Sequence, residues 1–268
     1  MLDVGGIRCR VLIDGWRAVS PRFVFRGYDD AVHGELIGPH LDAAGKLPGR
    51  FSALLIEAAD GLVLVDAGLG PFSGDLEAGL LAGELEALGI RPEDVRSVVL
   101  THGHADHAGG LLRNDGGVAF PAARHVVHAR ELAFWRSAAA RELPGDAGEP
   151  ARATFAALGE AGLLDPVEDD VAVAGGVRTL EAPGHTPGHL AVVIAGELLW
   201  AGDAIVAAAN VPHPEWVSTA DMDPEVNLAT RRALLARAAD DGLLLAGSHL
   251  PVVGRVSRHG GGYLLDVI

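Results

Sequence analysis

Three histidines and one aspartate lie within six consecutive residues, from His102 to His107. The apolar, β-branched run 96–100 before them predicts a buried strand, so the polar side chains belong to the loop that leaves it. Residues two apart in an extended chain point the same way, so His102 and His104 can face one ion. Asp106 and His107 come where the chain would turn into a helix and can face a second position nearby. Imidazole and carboxylate groups without a thiolate suit zinc, iron or manganese.

The same segment has a simpler interpretation as a polar loop. Asp106 would then cap a short helix, and hydrogen bonds would satisfy the histidines. Three titratable rings crowded together are costly without a shared cation, however, which favours a metal site.

This segment resembles the His-x-His-x-Asp-His signature of the metallo-β-lactamase-fold hydrolases. The resemblance extends over roughly residues 50–257, because further motifs follow in the family's order. They are Asp66 after a strand, His185 in a Pro-Gly-His-Thr-Pro-Gly-His segment, Asp203 after Gly202, and His249 before Leu-Pro. The resemblance implies an α+β (α/β) fold, a four-layer αββα sandwich with the metals at one edge between two sheets. We expect one such domain over residues 1–268.

The family's site residues carry over to this sequence position by position. The resemblance implies seven metal ligands, of which His102, His104 and His185 hold the first metal, Asp106, His107 and His249 hold the second, and Asp203 bridges both. Asp66 would support the site by hydrogen bonding and His189 would be structural. The predicted cofactors are two divalent ions, with zinc favoured and manganese, iron or cobalt also compatible.

The implied chemistry is hydrolysis of an ester or lactone by a hydroxide that bridges the two metals. Asp106 and Asp203 are the predicted catalytic carboxylates. The motifs most resemble the branch of acyl-homoserine-lactone lactonases and methyl-parathion-type esterases. Those lactonases usually carry a tyrosine three residues after the bridging aspartate, where this chain has Val206. The chain has only Tyr28 and Tyr263, neither near a metal motif, which weakens the prediction of lactone hydrolysis.

Two alternatives remain open at this stage. A glyoxalase-II-like thioesterase would use basic residues near the C-terminus, such as Arg255 and Arg258, to hold its thioester substrate. A metal-binding sensor or partner-binding protein that has lost turnover would keep the fold without the reaction.

Residues 20–50 are irregular and rich in glycine and proline, with scattered apolar side chains. Loops of this length are usually functional or disordered, so we predict a flap that supplies an apolar wall to the active site. A surface insertion is the alternative interpretation. His33 and His40 lie in this segment and are not predicted to bind metal.

The formal net charge is −15 and no Lys/Arg-rich tract exists, which argues against nucleic acid or an anionic membrane as partner. A small-molecule substrate is therefore expected. No apolar run is long enough for a membrane span, and no signal peptide is recognisable, so we expect a cytoplasmic protein. Cys9, the single cysteine, excludes an internal disulfide. A homodimer is expected by analogy with relatives.

The periodicity of the apolar residues predicts the approximate bounds of the strands and helices. Strands are predicted at 7–13, 52–57, 62–65, 125–128, 171–173, 177–180, 190–194, 198–201, 243–246, 252–256 and 263–267. Helices are predicted at 75–88, 130–137, 151–164 and 225–239, and a polar, turn-rich loop at 142–150.

Overall fold

The computed structural model of the chain describes residues 1–144 and 147–268, which contain fourteen strands and seven α-helices. Gly145 and Asp146, in the predicted loop 142–150, lie outside the described residues. The strands are β1 (Leu2–Val4), β2 (Ile7–Val19), β3 (Leu47–Ala58), β4 (Gly61–Val65), β5 (Val95–Val99), β6 (Arg124–His128), β7 (Leu164–Val167), β8 (Ala172–Ala174), β9 (Val177–Glu181), β10 (Leu190–Ile194), β11 (Leu198–Trp200), β12 (Leu244–Ala246), β13 (Gly254–His259) and β14 (Gly262–Val267). The helices are α1 (Pro21–Val24), α2 (Asp30–Ile37), α3 (Leu81–Ala87), α4 (Ala105–Ala108), α5 (Ala129–Arg136), α6 (Glu149–Glu160) and α7 (Pro224–Asp240).

The strands form two seven-stranded sheets that divide the chain in two. The first sheet has the order β1-β2-β3-β4-β5-β6-β7, and the second has the order β14-β13-β12-β11-β10-β9-β8. Strands β4 to β7 are parallel, as are β11 and β12, and the remaining pairs are antiparallel. The parallel strands β4, β11 and β12 are continuous apolar runs because helices cover one of their faces and the other sheet covers the opposite face.

Three clusters of buried apolar side chains lie between the layers of the fold. Apolar side chains of both sheets, such as Ile56 and Trp200, pack together between them. On the outer face of the first sheet, α3, α5 and α6 bury residues such as Trp135 and Phe155. On the outer face of the second sheet, α7 buries Leu235. This is the predicted four-layer αββα sandwich, which the structure confirms.

Several predicted boundaries were wrong. Helix α3 begins at Leu81 rather than at residue 75, because the Asp14 carboxylate accepts hydrogen bonds from the backbone N–H groups of Gly79 and Leu81. Gly79 also has a φ of +82°, which a helix cannot contain. Helix α6 ends at Glu160, and the end of its predicted span is the start of the unpredicted edge strand β7.

The segment 20–50 is more regular than its sequence pattern indicates. It contains α1, α2 and the start of β3, which begins at Leu47 rather than at residue 52. Val19 and Leu47 are register partners in adjacent antiparallel strands. Residues 20–46 are therefore an excursion from one end of the β2–β3 pair.

Among the helices of the described residues, none has both the length and the hydropathy that crossing a bilayer requires.

Candidate metal centre

The predicted site residues lie on segments that follow the carboxyl ends of strands from both sheets, and Asp106 and His107 lie in α4. Asp66 follows β4, and the segment 101–107 follows β5 and leads into α4. In the second sheet, His185 follows β9, Asp203 follows β11, and His249 follows β12. Because both sheets present these ends at one edge of the sandwich, all seven predicted ligands converge there.

The donor atoms of His102, His104 and His185 form the first group, with all atoms within 4.8 Å of one another. His104 Nδ1 lies 2.9 Å from His102 Nε2 and 3.1 Å from His185 Nε2. These are the three residues that the sequence predicts for the first metal. Three imidazole nitrogens facing one point form a set that zinc commonly takes.

The donor atoms of Asp106, His107 and His249 form a second group of the same size. Asp106 Oδ2 lies 3.2 Å from His249 Nε2 and 3.7 Å from His107 Nε2. These are the residues predicted for the second metal. That either group binds an ion stays a prediction.

Asp203 lies between the two groups. Its Oδ2 is 3.4 Å from His185 Nε2 and 3.2 Å from His249 Nε2, and its Oδ1 is 3.4 Å from His107 Nε2. A carboxylate that bridges two cations must contact both groups in this way, since it has two oxygens to share.

Asp66 supports the loop of the second group. Its Oδ1 accepts a hydrogen bond from the Thr101 N–H at 2.8 Å, and its Oδ2 accepts one from His107 Nδ1 at 2.8 Å. This bond fixes the ring so that His107 Nε2 faces the cluster, as supporting carboxylates do for metal-binding histidines. Asp66 has a φ of +62°, an unusual value for a residue with a side chain.

His189 supports Asp203 instead of facing the cluster as a ligand. Its Nε2 accepts a hydrogen bond from the Asp203 backbone N–H at 2.9 Å. Burial, followed by the charge of His185, lowers the pKa of His189 to about 3, so the ring is neutral and can accept.

Glu131 is a supporting residue that no sequence motif indicates. It is fully buried in α5, and its Oε1 accepts from the Gly103 N–H at 2.8 Å and from Trp135 Nε1 at 2.6 Å. Its Oε2 accepts from Thr186 Oγ1 at 2.7 Å and from the Gly188 N–H at 2.9 Å. One carboxylate thus connects the loop of His102 with the loop of His185.

Asp221 is a second supporting carboxylate that sequence reasoning missed. Its Oδ1 lies 2.9 Å from His185 Nδ1 and also accepts from Asn227 Nδ2 at 2.8 Å. Its Oδ2 accepts from the Ser218 N–H at 2.9 Å. The bond to Nδ1 turns the other ring nitrogen of His185 toward the first group.

The electrostatics differ between the two groups. Burial and the neighbouring His185 lower the pKa of His104 to about 3, which leaves its nitrogen lone pair free for a cation. Burial acts in the same direction on His249, but the charges of Asp203 and Asp106 outweigh it and raise the His249 pKa to about 10. The carboxylates of Asp106 and Asp203 therefore favour a positive charge at the second group.

Two buried atoms at the centre support a fit to metal. His107 Nε2 and Asp203 Oδ1 have no hydrogen-bond partner among the described residues. Buried polar atoms are rarely left unpaired, and a cation between a nitrogen and an oxygen would satisfy both. The donor set, five imidazoles and two carboxylates, is of the type that divalent transition ions take.

A cavity opens over the cluster and is lined by His104, Asp106, His185, Asp203 and His249. Its walls are mainly apolar and come from β2, β3, α1 and the loop after Asp203, with Val19, Phe23, Val24, Leu47, Val206 and Ala207. Neither tyrosine of the chain is among its lining residues. The predicted flap thus contributes to the wall, and that it opens and closes stays a prediction.

A sandwich of this kind with histidines and aspartates at one edge defines a class of metal-binding proteins. The model of the metallo-beta-lactamase superfamily matches residues 48–249. The chain therefore belongs to the metallo-beta-lactamase superfamily, which confirms the resemblance found in the sequence.

The individual relatives have low sequence identity to this chain. A protein of Mycobacterium tuberculosis described as a "probable metallo-hydrolase" is 33% identical over 181 residues, 56% of this chain and 55% of that protein. The N-acyl homoserine lactonase AttM of Azorhizobium caulinodans is 34% identical over 133 residues, 45% of each chain. The match thus spans about half the length of these two relatives. The crystal structure of hydrolase AbOPH of the beta-lactamase superfamily superposes with a TM-score of 0.86 at 26% identity, covering 98% of this chain and 94% of that one.

Proposed function

We propose that the protein is a hydrolase that uses two divalent metal ions, most simply zinc, to cleave an ester or lactone. The observation that carries the proposal is the pair of donor groups with Asp203 between them at the base of an open cavity. Similarity to a lactonase over 45% of the chain supports a carbonyl substrate. Bound in these two positions, divalent ions supply Lewis acidity and lower the pKa of a coordinated water.

The side chains of the protein have separate roles in this proposal. His102, His104 and His185 hold one ion, and Asp203 shares its two oxygens between the two ion positions. Asp106 lies at the cavity wall with its Oδ2 close to His249 Nε2, where it can orient a water and accept its proton. The apolar wall holds the body of the substrate and excludes bulk water around the reacting carbonyl.

The thioesterase alternative has less support. Arg258 pairs with Asp240 at 2.8 Å, and Arg255 is exposed. Neither lines the cavity, so neither is positioned to hold a thioester substrate there.

The test combines metal analysis with a substrate panel. Protein of measured metal content is assayed on lactones, aryl esters, thioesters and phosphotriesters. We expect His104→Ala and Asp203→Ala to lower metal content and to reduce hydrolysis by more than about 100-fold, since even supporting residues of metal sites contribute about 10–100-fold.

His259→Ala is the matched control, because His259 is exposed at the end of β13 and away from the cavity. Full activity in either site variant would remove the assignment. Absence of hydrolysis in the fully loaded wild-type protein would favour a sensor or partner-binding protein.

A further inference from the structure

Arg50 is a buried guanidinium in the wall of the cavity. It lies in β3 and is 8% exposed. Its Nε and Nη2 atoms are buried and have no hydrogen-bond partner among the described residues. Its backbone carbonyl accepts from His249 Nδ1 at 2.8 Å, which holds the residue beside the candidate metal centre.

This guanidinium also lacks a counter-ion within the described chain. No carboxylate of those residues lies within 4.0 Å of it, whereas Arg231, the other buried arginine of the described residues, has Asp221 Oδ2 at 3.7 Å from its Nη2. Burial lowers its pKa, yet an arginine remains charged under physiological conditions. A buried charge without a partner is costly, so such an arginine points to an anion that is supplied from outside the chain.

The surroundings of Arg50 favour a small anionic ligand. Arg17 also lines the cavity, and its guanidinium packs over the ring of Phe23 at 4.7 Å from the ring centroid. The other walls are apolar and offer a short aliphatic chain its contacts. The cavity therefore combines an apolar body with a cationic end, next to the cluster where hydrolysis is proposed.

We propose that Arg50 binds an anionic oxyacid group of the substrate, a carboxylate or phosphate, in addition to the bond that is hydrolysed. This inference rests on the proposed hydrolase function. It makes Arg50 a specificity-determining residue and selects anionic esters or lactones over neutral acyl-homoserine lactones. The planar fork of guanidinium donors matches the two oxygens of a carboxylate or phosphate.

The test compares pairs of aryl esters on metal-loaded protein. A mono-aryl glutarate is paired with its neutral methyl ester, and an aryl 4-phosphonobutanoate is paired with its neutral dimethyl ester. The two arms distinguish carboxylate from phosphate, and the ratio of kcat/KM within a pair does not depend on metal content. We expect at least one anionic ester to be preferred by about tenfold or more, as charge-assisted bidentate bonds allow.

Substitutions connect this preference to Arg50. Arg50→Gln should lower the ratio of kcat/KM for the preferred anionic ester to that for its neutral partner by about tenfold or more, because the anion loses a charged contact that the neutral ester does not make. Arg50→Lys should retain part of the preference, since it keeps the charge and loses the fork. Arg258→Gln is the matched control, because Arg258 is exposed and lies outside the cavity.

Two kinetic results would overturn the inference while the hydrolase function stands. An equal loss of kcat/KM on neutral and anionic esters in Arg50→Gln would mean that Arg50 acts on the reacting carbonyl. An unchanged ratio in Arg50→Gln, with native circular dichroism and metal content, would mean that no anion binds there.

Isothermal titration calorimetry tests anion binding at Arg50 even if no ester is hydrolysed. A lack of hydrolysis would count against the proposed function and not against this inference. Glutarate and methylphosphonate are titrated into metal-loaded wild-type and Arg50→Gln protein. Acetate is the reference, because its one carboxylate cannot contact Arg50 and the metal centre at the same time. The Kd of glutarate, of methylphosphonate or of both should rise by about tenfold or more in the variant while that of acetate does not change. Equal Kd values in the two proteins for both glutarate and methylphosphonate would overturn the inference.

Discussion

Glu131 connects the two loops that carry the first donor group, although it is not a predicted ligand. In Glu131→Gln, an amide N–H₂ replaces one of the two oxygens that accept four buried hydrogen bonds. Leaving buried donors unpaired costs about 1–3 kcal/mol each, so we expect a loss of unfolding free energy of at least that size. Metal affinity should fall about 10–100-fold, as for other supporting residues.

Urea unfolding and metal titration measure the two effects on Glu131→Gln. Glu160→Gln is the control, because Glu160 is exposed at the end of α6. Wild-type stability and metal affinity in Glu131→Gln would contradict the role assigned to this carboxylate.

His125 gives the protein a pH dependence that is independent of the metal cluster. It is 1% exposed in β6, neither ring nitrogen has a partner among the described residues, and burial lowers its pKa from 6.5 to about 4. Below pH 6.5 the unfolded chain binds a proton that the folded chain does not, so stability falls as the pH decreases from 6.5 toward 4. Over that window the loss amounts to about 3 kcal/mol.

We expect His125→Leu to remove this part of the acid destabilisation. Urea unfolding of the wild type and the variant at several pH values measures it, and the difference between the two proteins cancels the contributions of other titrating groups. His259→Leu, at an exposed position, should keep the wild-type pH dependence. A parallel pH dependence in wild type and His125→Leu would show that His125 is protonated in the folded state.

The sequence identified residues of the site where chemistry and spacing coincide. The spacing within the segment 102–107 predicts candidate metal ligands without any other motif, and the later histidines and aspartates follow known motifs. Glu131, Asp221 and Arg50 stand in no such motif, and each acts through partners far away in the chain. Only the tertiary structure brings these residues to the cluster, so periodicity and spacing could not indicate them.

At the scale of elements, residues 20–46 are an excursion that leaves and re-enters neighbouring strands. Because Val19 and Leu47 are register partners, a short glycine-rich turn can replace the segment without altering the sheet. We expect this replacement to change substrate preference more than metal content, since the segment supplies Phe23 and Val24 to the cavity but no candidate ligand. The melting temperature should also fall, because the segment covers Trp216.

Kinetics on the substrate panel and metal analysis measure the effect of this replacement. Replacing Gly260-Gly261, the turn between β13 and β14, by Asn-Gly is the control, because that turn lies away from the cavity. Unchanged preference for every substrate would make the segment a surface insertion.

Strands were predicted more accurately than helix ends. Buried apolar runs mark β4 and β10 directly, because both of their faces are covered. The strand β7 was missed, since Pro166 interrupts it and proline is typical of turns. An edge position tolerates this proline, because one side of an edge strand needs no ladder partner.

At the scale of the whole molecule, each donor group joins residues from both sheets. Ions bound there would stabilise the folded protein over the unfolded chain, by about 4 kcal/mol when the free ion is at 1,000 times its Kd. We therefore expect a chelator to lower the melting temperature of the wild type and added zinc or manganese to restore it. Thermal unfolding followed by circular dichroism measures this.

The variant His104→Ala, with an incomplete first group, should respond much less to the chelator. A melting temperature that does not change on chelation in the wild type would contradict a metal site that couples the two sheets.

The division of the donor groups between the two sheets has a consequence for biosynthesis. His102 and His104 leave the ribosome long before His185, and the second group is complete only when His249 has emerged. A nascent chain therefore holds half-sites that cannot retain an ion with full affinity. If the two groups bind ions as proposed, full affinity is reached only after His249 has emerged, and a chain that ends before His249 would lack a ligand of the second group.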